Sequence, residues 1–207
     1  MSLQRIFVRV PFADPGPDPE DFVPVFHDWI RRRAVEGLLI DVTRYAHVHN
    51  GPGVILIGHE GDYSIDLAGG RRWLRYTLKR DEPGSPGELV ARALRRLGGA
   101  VAEAQAAPGA GIASSQMSAG TPADRGKGSA LFPSGELTIG IADRLRAPNT
   151  PATFGALAPE IAEAVQDVLG EAQLAAAAEA DPRAPFTLSF VGADITACAG
   201  EAARSAT

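Results

Sequence analysis

Apolar residues in this chain fall into short blocks whose period switches between 2 and 3.6, and each switch marks a change of element. Residues 4–10 (Gln-Arg-Ile-Phe-Val-Arg-Val) predict a first strand, followed by the turn-rich Asp14-Pro-Gly-Pro-Asp-Pro19. Phe22, Phe26, Trp29 and Ile30 then recur at helical spacing. Asp18 or Asp21 can cap that helix, Pro24 is tolerated in its first turn, and Gly37 is expected to end it. Leu38–Val48 and Val54–Glu60 read as a hairpin around Asn50-Gly-Pro-Gly53, and Asp62–Leu67 with Arg72–Arg80 as a second around Ala68-Gly-Gly70. The last of these strands alternates cleanly, with Leu74, Tyr76 and Leu78 on one face and Trp73, Arg75, Thr77 and Lys79 on the other. A long helix follows from about Ser85 to Ala106, with Leu89, Leu94, Leu97 and Val101 inward and Pro86 in its first turn.

Residues 108–129 hold five Gly and two Pro with almost no large apolar group, too little to offset their chain entropy. They are expected to be a flexible loop between a first half (1–107) and a second (130–197), with 198–207 as a tail. In the second half, Ala130–Phe132 should pair with Glu136–Asp143 around Pro133-Ser-Gly135. Asn149-Thr-Pro151 opens a helical stretch that Pro159 should interrupt and restart, running to Leu169, and Phe186–Val191 is a strand. The alanines of Gln173–Ala180 favour helix, whereas a strand there would form a hairpin with Phe186–Val191 around Asp181-Pro-Arg183. We favour the strand. Phe22-Val-Pro24 through Val54–Gly58 then parallels Leu157-Ala-Pro159 through Phe186–Gly192, the pattern of an internal duplication. The expected fold is α+β: a mostly antiparallel sheet with helices on one face, built from two quasi-equivalent halves in one compact unit.

With 207 residues, 45% of them hydrophobic and 22% charged, the composition is that of a globular protein. Apolar runs such as Val54–Ile57 are too short to span a bilayer, and Arg5 and Arg9 interrupt the N-terminus before a signal-peptide core develops, so a cytoplasmic protein without a membrane partner is expected. The single cysteine, Cys198, rules out a disulfide framework or a thiolate metal site. Net charge is −5, and the excess acid lies in residues 108–207, which carry 6 basic and 11 acidic groups against 14 of each in residues 1–107. Nucleic-acid binding is therefore not expected of the chain as a whole. One local exception is the basic strand Arg71–Arg80 around Trp73, which reads as a solvated sheet face or, alternatively, as an anion- or RNA-binding strip.

All four histidines lie between residues 27 and 59, three of them in His47-Val-His49 and His59-Glu60-Gly-Asp62. A three-residue loop at Gly51-Pro-Gly53 would pair 49 with 55, 47 with 57 and 45 with 59, placing His59 diagonal to His47 but far along the strand from His49. The workable metal constellation is then His47, His59 and a carboxylate (Glu60, Asp62 or Asp41) around a divalent ion, with Glu60 as candidate general base for metal-bound water. The helical His-Glu-x-x-His spacing is lacking. Gly53 to Gly58 fails as a phosphate loop, because it runs along a strand and Pro52 removes a donor. Asp62, Ser64 and Asp66 share a strand face near His59, but there is no nucleophile elbow. His27 reads as a helix-surface histidine, and Trp29 as a core anchor.

The segments Pro24-Val-Phe-His-Asp-Trp-Ile30, Gly51-Pro-Gly through Asp66 and Leu145-Arg-Ala-Pro-Asn-Thr-Pro-Ala-Thr-Phe154 together resemble a group of bacterial proteins of similar length. That resemblance implies a self-contained bacterial cytosolic protein and carries no activity, ligand or catalytic residue. The leading expectation is a non-enzymatic accessory or binding protein whose uncovered sheet face, carrying Tyr45, His47, His49, Trp73 and Arg75, meets an unidentified ligand or partner or a second copy of the chain. No cofactor is required by that reading. The alternative is a metal-dependent hydrolase centred on His47, His59 and Glu60, with Asp62 as a further ligand.

Overall fold

The computed structural model describes residues 5–14, 16–45, 51–79, 82–106, 131–132, 135–177, 181 and 183–198. Strands β1 (Ile6–Pro11), β2 (Leu39–Arg44), β3 (Pro52–Gly58), β4 (Gly61–Ala68), β5 (Arg71–Leu78), β6 (Gly135–Ile141), β7 (Gln173–Ala177) and β8 (Phe186–Ala193) form one antiparallel sheet in the order β2-β3-β4-β5-β1-β6-β8-β7. Helices α1 (Phe22–Arg32), α2 (Pro86–Ala106) and α3 (Pro151–Leu169) complete an α+β fold.

Period-2 alternation divides the sheet into two unlike faces. Ile6, Val8 and Val10 of β1, Tyr63 and Ile65 of β4, Leu74, Tyr76 and Leu78 of β5, Leu137, Ile139 and Ile141 of β6, and Phe186, Leu188 and Phe190 of β8 join the buried residues of all three helices in a single core. The alternate positions point to the other face, which no described helix covers. An aromatic ladder fixes α1 to the sheet: Phe22 on Phe26 at 5.6 Å, Phe26 on Trp29 at 5.2 Å and Trp29 on Tyr63 at 6.0 Å. Each such pair adds about 0.5–1.5 kcal/mol beyond the area it buries. The β4–β5 turn has both central glycines at positive φ, Gly69 at 59° and Gly70 at 75°, the backbone that favours a tight two-residue hairpin.

The topology has a repeated course. From β1 the chain passes through α1 and a four-strand meander, returning through β5 beside β1. From β6 it passes through α3 and the hairpin β7–β8, returning beside β6. At the centre β1 and β6 pair with each other. The strand that returns beside β1 is β5, so the match of Val54–Gly58 with Phe186–Gly192 drawn from the sequence does not correspond to equivalent places in the sheet.

Several boundaries differ from the sequence expectation. Arg33, left-handed at φ 54°, caps α1 before Gly37 is reached. Strand β2 stops at Arg44 and pairs Asp41 with Ile57, Thr43 with Ile55 and Arg44 with Val54, so Ile55 and Ile57 have other partners than the expected residues 49 and 47, which lie outside the described residues. Leu131 and Phe132 do not form a strand with β6. Phe132 instead stacks on Phe12, with ring centroids 4.7 Å apart, and β6 takes β1 and β8 as its partners. Pro159 lies inside an unbroken α3. It sits on an exposed stretch, where the carbonyl deprived of its partner faces water. Thr150 caps that helix by accepting from the Thr153 N–H at 3.3 Å. Cys198 is buried in the short 3-10 turn Ile195–Cys198 against α2, and only a glycine fits beneath it, since a Cβ at Gly98 would lie 2.5 Å from Cys198 Cβ. The expected loop at 108–129 lies outside the described residues.

Candidate functional site

On the face without helices, strand register brings together residues far apart in sequence. Arg9 of β1 lies directly opposite Arg75 of β5 on one side and Thr138 of β6 on the other. Beyond β5, Ser64 faces Arg75 and Asp66 faces Trp73. Like charges directly opposite across a ladder are unfavourable, and the two arginines resolve the conflict differently.

Arg75 is neutralised. Its Nη1 lies 3.0 Å from Asp66 Oδ2, its Nε donates to Thr77 Oγ1 at 3.0 Å, and its guanidinium covers the Phe7 ring at 4.1 Å. Asp66 is itself buried, and its other oxygen accepts from Ser64 Oγ at 2.6 Å. The Phe7 ring lies flat over β6 where Gly140 leaves room, for a Cβ there would sit 2.2 Å from the ring. Trp73 donates its indole N–H to Ala68 O at 3.1 Å and is stacked by two guanidinium groups, Arg9 at 4.4 Å and Arg71 at 5.2 Å. Arg71 is in turn paired with Glu136, its Nη1 at 2.8 and 3.1 Å from the two carboxylate oxygens.

Arg9 is the exception. It is half-buried on Trp73, it makes no ion pair or hydrogen bond among the described residues, and its buried Nε lacks any acceptor. Burial first, and then the charge of Arg75, hold its basicity below the ordinary guanidinium value, and Asp66 and Glu136 offset this from a distance. Guanidinium remains charged at neutral pH even so. Among the described residues, three arginines and two carboxylates thus leave the centre of this face with one unpaired, pre-positioned positive charge.

The residues singled out from sequence divide unevenly. Trp73 and Arg75 belong to this cluster, although Trp73 is only 6% exposed. Tyr45 does not: it lies past the end of the edge strand β2, where its N–H bonds Gly53 O at 2.8 Å, with β3 and β4 between it and β5. His47 and His49 lie outside the described residues. His59 is exposed at the opposite end of β3, its N–H bonding Leu38 O at 2.8 Å. Glu60, the candidate general base, accepts the Leu38 N–H at 2.9 Å, and this bond holds its carboxyl below the usual carboxylate range. Asp62 accepts from Lys79 Nζ at 2.9 Å and from the Gly58 N–H at 3.1 Å. These two carboxylates therefore fasten the β3–β4 turn. Among the described residues no three His, Cys, Asp or Glu side chains gather as a metal would require. His27 is exposed on α1, and Trp29 is fully buried in the core.

A second polar cluster lies on the helix side. Arg96 of α2, 8% exposed, donates to Tyr76 Oη at 2.8 Å and pairs with Glu36 at 3.1 Å and Glu82 at 3.3 Å, and Tyr63 Oη donates to Glu36 O at 3.2 Å. Burial pushes the Tyr76 phenol up to about 12 and that of Tyr63 well above its ordinary value. Arg96, Tyr63 and Tyr76 all have partners, so this cluster ties the loop after α1 to α2 and leaves no group directed at a ligand.

Sequence reading missed Phe7, Arg9, Asp66, Arg71, Glu136 and Thr138 as members of one site. The only available signal was that Phe7, Arg9 and Pro11 alternate with Ile6, Val8 and Val10, which marks an aromatic and a cation on the non-core side of the first strand. Comparison of the chain with protein-family models, with curated proteins and with solved structures gave no match.

Proposed function

We propose that this chain is a non-enzymatic binding protein that meets its partner through the sheet face lacking helices, centred on Arg9, Trp73 and Arg75. The observation carrying this reading is Arg9, a cation held in place by aromatic stacking with no ion-pair partner among the described residues. A folded protein tolerates such a group at a cost in stability, and binding sites are where such costs concentrate. The pocket lined by Gln166, Gly170, Glu171, Gln173, Val191 and Gly192 includes none of Arg9, Trp73 and Arg75, and a small molecule favours a concave site, so a macromolecular partner is the better fit. The metal-hydrolase alternative has less support, because Glu60 and Asp62 are engaged by backbone N–H groups and Lys79. No described helix is long and apolar enough to cross a membrane, and the single cysteine, buried in the fold, is in keeping with a cytoplasmic location.

The test is to pan random dodecapeptides against the full chain and to map the bound ones by photo-crosslinking and mass spectrometry. Crosslinks concentrated on β1, β5 and β6 at Arg9, Arg71, Arg75 or Glu136 are expected. Crosslinks confined to the helices would overturn the reading. So would near-stoichiometric zinc or manganese in untagged protein that disappears in His59→Ala, which would bring the hydrolase forward.

A further inference from the structure

Resting on that reading of the face, we propose that its occupant is an acidic segment of a protein partner, one of whose Asp or Glu carboxylates seats on Arg9 and takes the terminal Nη N–H donors, the Nε being buried. The argument is first one of charge. Arg71 and Arg75 are already neutralised by Glu136 and Asp66, so the centre of the face carries a single excess positive charge. One carboxylate balances it. A dianionic phosphate would overshoot, and a nucleic-acid backbone would in addition bring its further phosphates against Asp66 and Glu136.

Geometry supports the same occupant. The guanidinium of Arg9 lies 4.4 Å above the Trp73 ring, so it is oriented before any ligand arrives. Little side-chain entropy remains to be lost on forming a planar, two-bond pair with a carboxylate. The face already holds two arginine–carboxylate pairs, Arg71 with both oxygens of Glu136 through one nitrogen and Arg75 with Asp66 through a single bond. Across β6 and β8 the register sets buried Thr138 and half-buried Ser189 in line with Arg9, both on the side away from Arg75, so the partner's chain beyond its acidic residue would meet the half-buried Ser189 first. A pairing of this kind contributes specificity as well as affinity, because a partner lacking the carboxylate leaves Arg9 desolvated and unpaired.

The test is a double-mutant cycle between Arg9 and the acidic residue of a dodecapeptide selected against the wild-type chain. The selected sequences are expected to share an Asp or Glu, and changing it to Asn or Gln should weaken binding at least tenfold, measured by calorimetry. Arg9→Gln should weaken the parent peptide to the same extent, and the two changes together should cost little more than either alone. Arg9→Lys, which keeps the charge but not the planar fork, should recover only part of the loss. Selected peptides without a carboxylate, or with one indifferent to Arg9→Gln, overturn the acidic assignment. The binding face itself survives that result if the crosslinks still fall on β1, β5 and β6, and falls with it if they do not. Arg9-dependent self-association in sedimentation that the peptides fail to compete identifies a second copy as the occupant, and Arg9-dependent binding of oligouridylate with a steep salt dependence identifies RNA; either outcome replaces the proposal.

Discussion

If Arg9 is held for a partner, removing it should make the isolated protein more stable. Arg9→Met keeps most of the side-chain length and removes the charge. The guanidinium carbons of Arg75 and Arg9 lie 4.1 and 6.0 Å from the Phe7 ring centroid, so the two charges are at most about 10 Å apart. At an effective dielectric constant of about 20 their repulsion is then at least about 1.7 kcal/mol. Asp66, which is 3.0 Å from Arg75, cancels more than half, leaving about 0.5–1 kcal/mol to be gained. Releasing the buried, unpaired Nε adds about 1 kcal/mol, the low end for an unsatisfied donor because the side chain is only half-buried. Against this stands the lost cation–π contact with Trp73, about 0.5–1 kcal/mol, partly recovered by the thioether. The net expectation is a gain of about 1 kcal/mol, or roughly 2–4 °C in Tm for a chain of this size. Urea unfolding followed by tryptophan emission measures it, and part of the gain should fade at molar salt, where the Debye length falls to about 3 Å. Asp66→Ala should cost about 2–3 kcal/mol in the wild type, and less in the Arg9→Met background, where Arg75 no longer faces a second cation. A salt-independent loss of more than about 1 kcal/mol in Arg9→Met would refute the reasoning and make Arg9 a structural residue.

Three further outcomes follow from the packing and the charges. Gly140→Ala should destabilise by about 1–3 kcal/mol in urea melts and weaken peptide binding, because the new methyl group displaces the Phe7 ring on which Arg75 rests. Glu60 has a depressed folded-state carboxyl, so its contribution is present above the unfolded value near 4.3 and is lost as pH falls through the folded one; acid melts of Glu60→Gln should therefore flatten in that window, while peptide binding at neutral pH stays unchanged. For Tyr63 and Tyr76 the sign reverses: their folded values lie above the unfolded value near 10, so the stability they confer is complete below pH about 10 and declines as pH rises toward 12. Ultraviolet titration should find both phenols still neutral at pH 10.5 in the folded chain, and ionised at that pH in urea.

What the sequence made legible was whatever depends on neighbours in the chain. Alternation along Arg71–Leu78 correctly divided Trp73, Arg75 and Thr77 from Leu74, Tyr76 and Leu78, because the side-chain period of a strand is a local property. The same holds for α1, where Phe22, Phe26 and Trp29 mark a buried stripe, and for Gln173–Ala177, where an available partner outweighed the helical preference of alanine. The site was not legible, because it is made by β1 pairing with β5 and β6, and nothing local to Arg9 announces that Arg75 and Thr138 will flank it. Histidines drew attention through chemistry that residue type suggests but position decides. Glu60 and Asp62 are conspicuous beside His59, yet a hairpin end with free N–H groups is a ready place for a carboxylate. The β2–β3 register failed for a related reason: Gly-Pro-Gly looks like a tight turn, whereas the ladder ends at Arg44 and Val54.

The central pairing of β1 with β6 also bears on how the chain can be made. Ile6 must wait for Ile141, so on a ribosome the first strand emerges long before its second neighbour exists. During that interval β5 can dock on one side of β1 while the other edge, with its row of free backbone groups, stays open to any strand that arrives. The shorter that interval and the fewer chains passing through it at once, the smaller the chance of mispairing, so a lower expression level should favour correctly closed protein. Those same edge groups make β1 a natural target for a chaperone that shields strands until residues 135–141 appear.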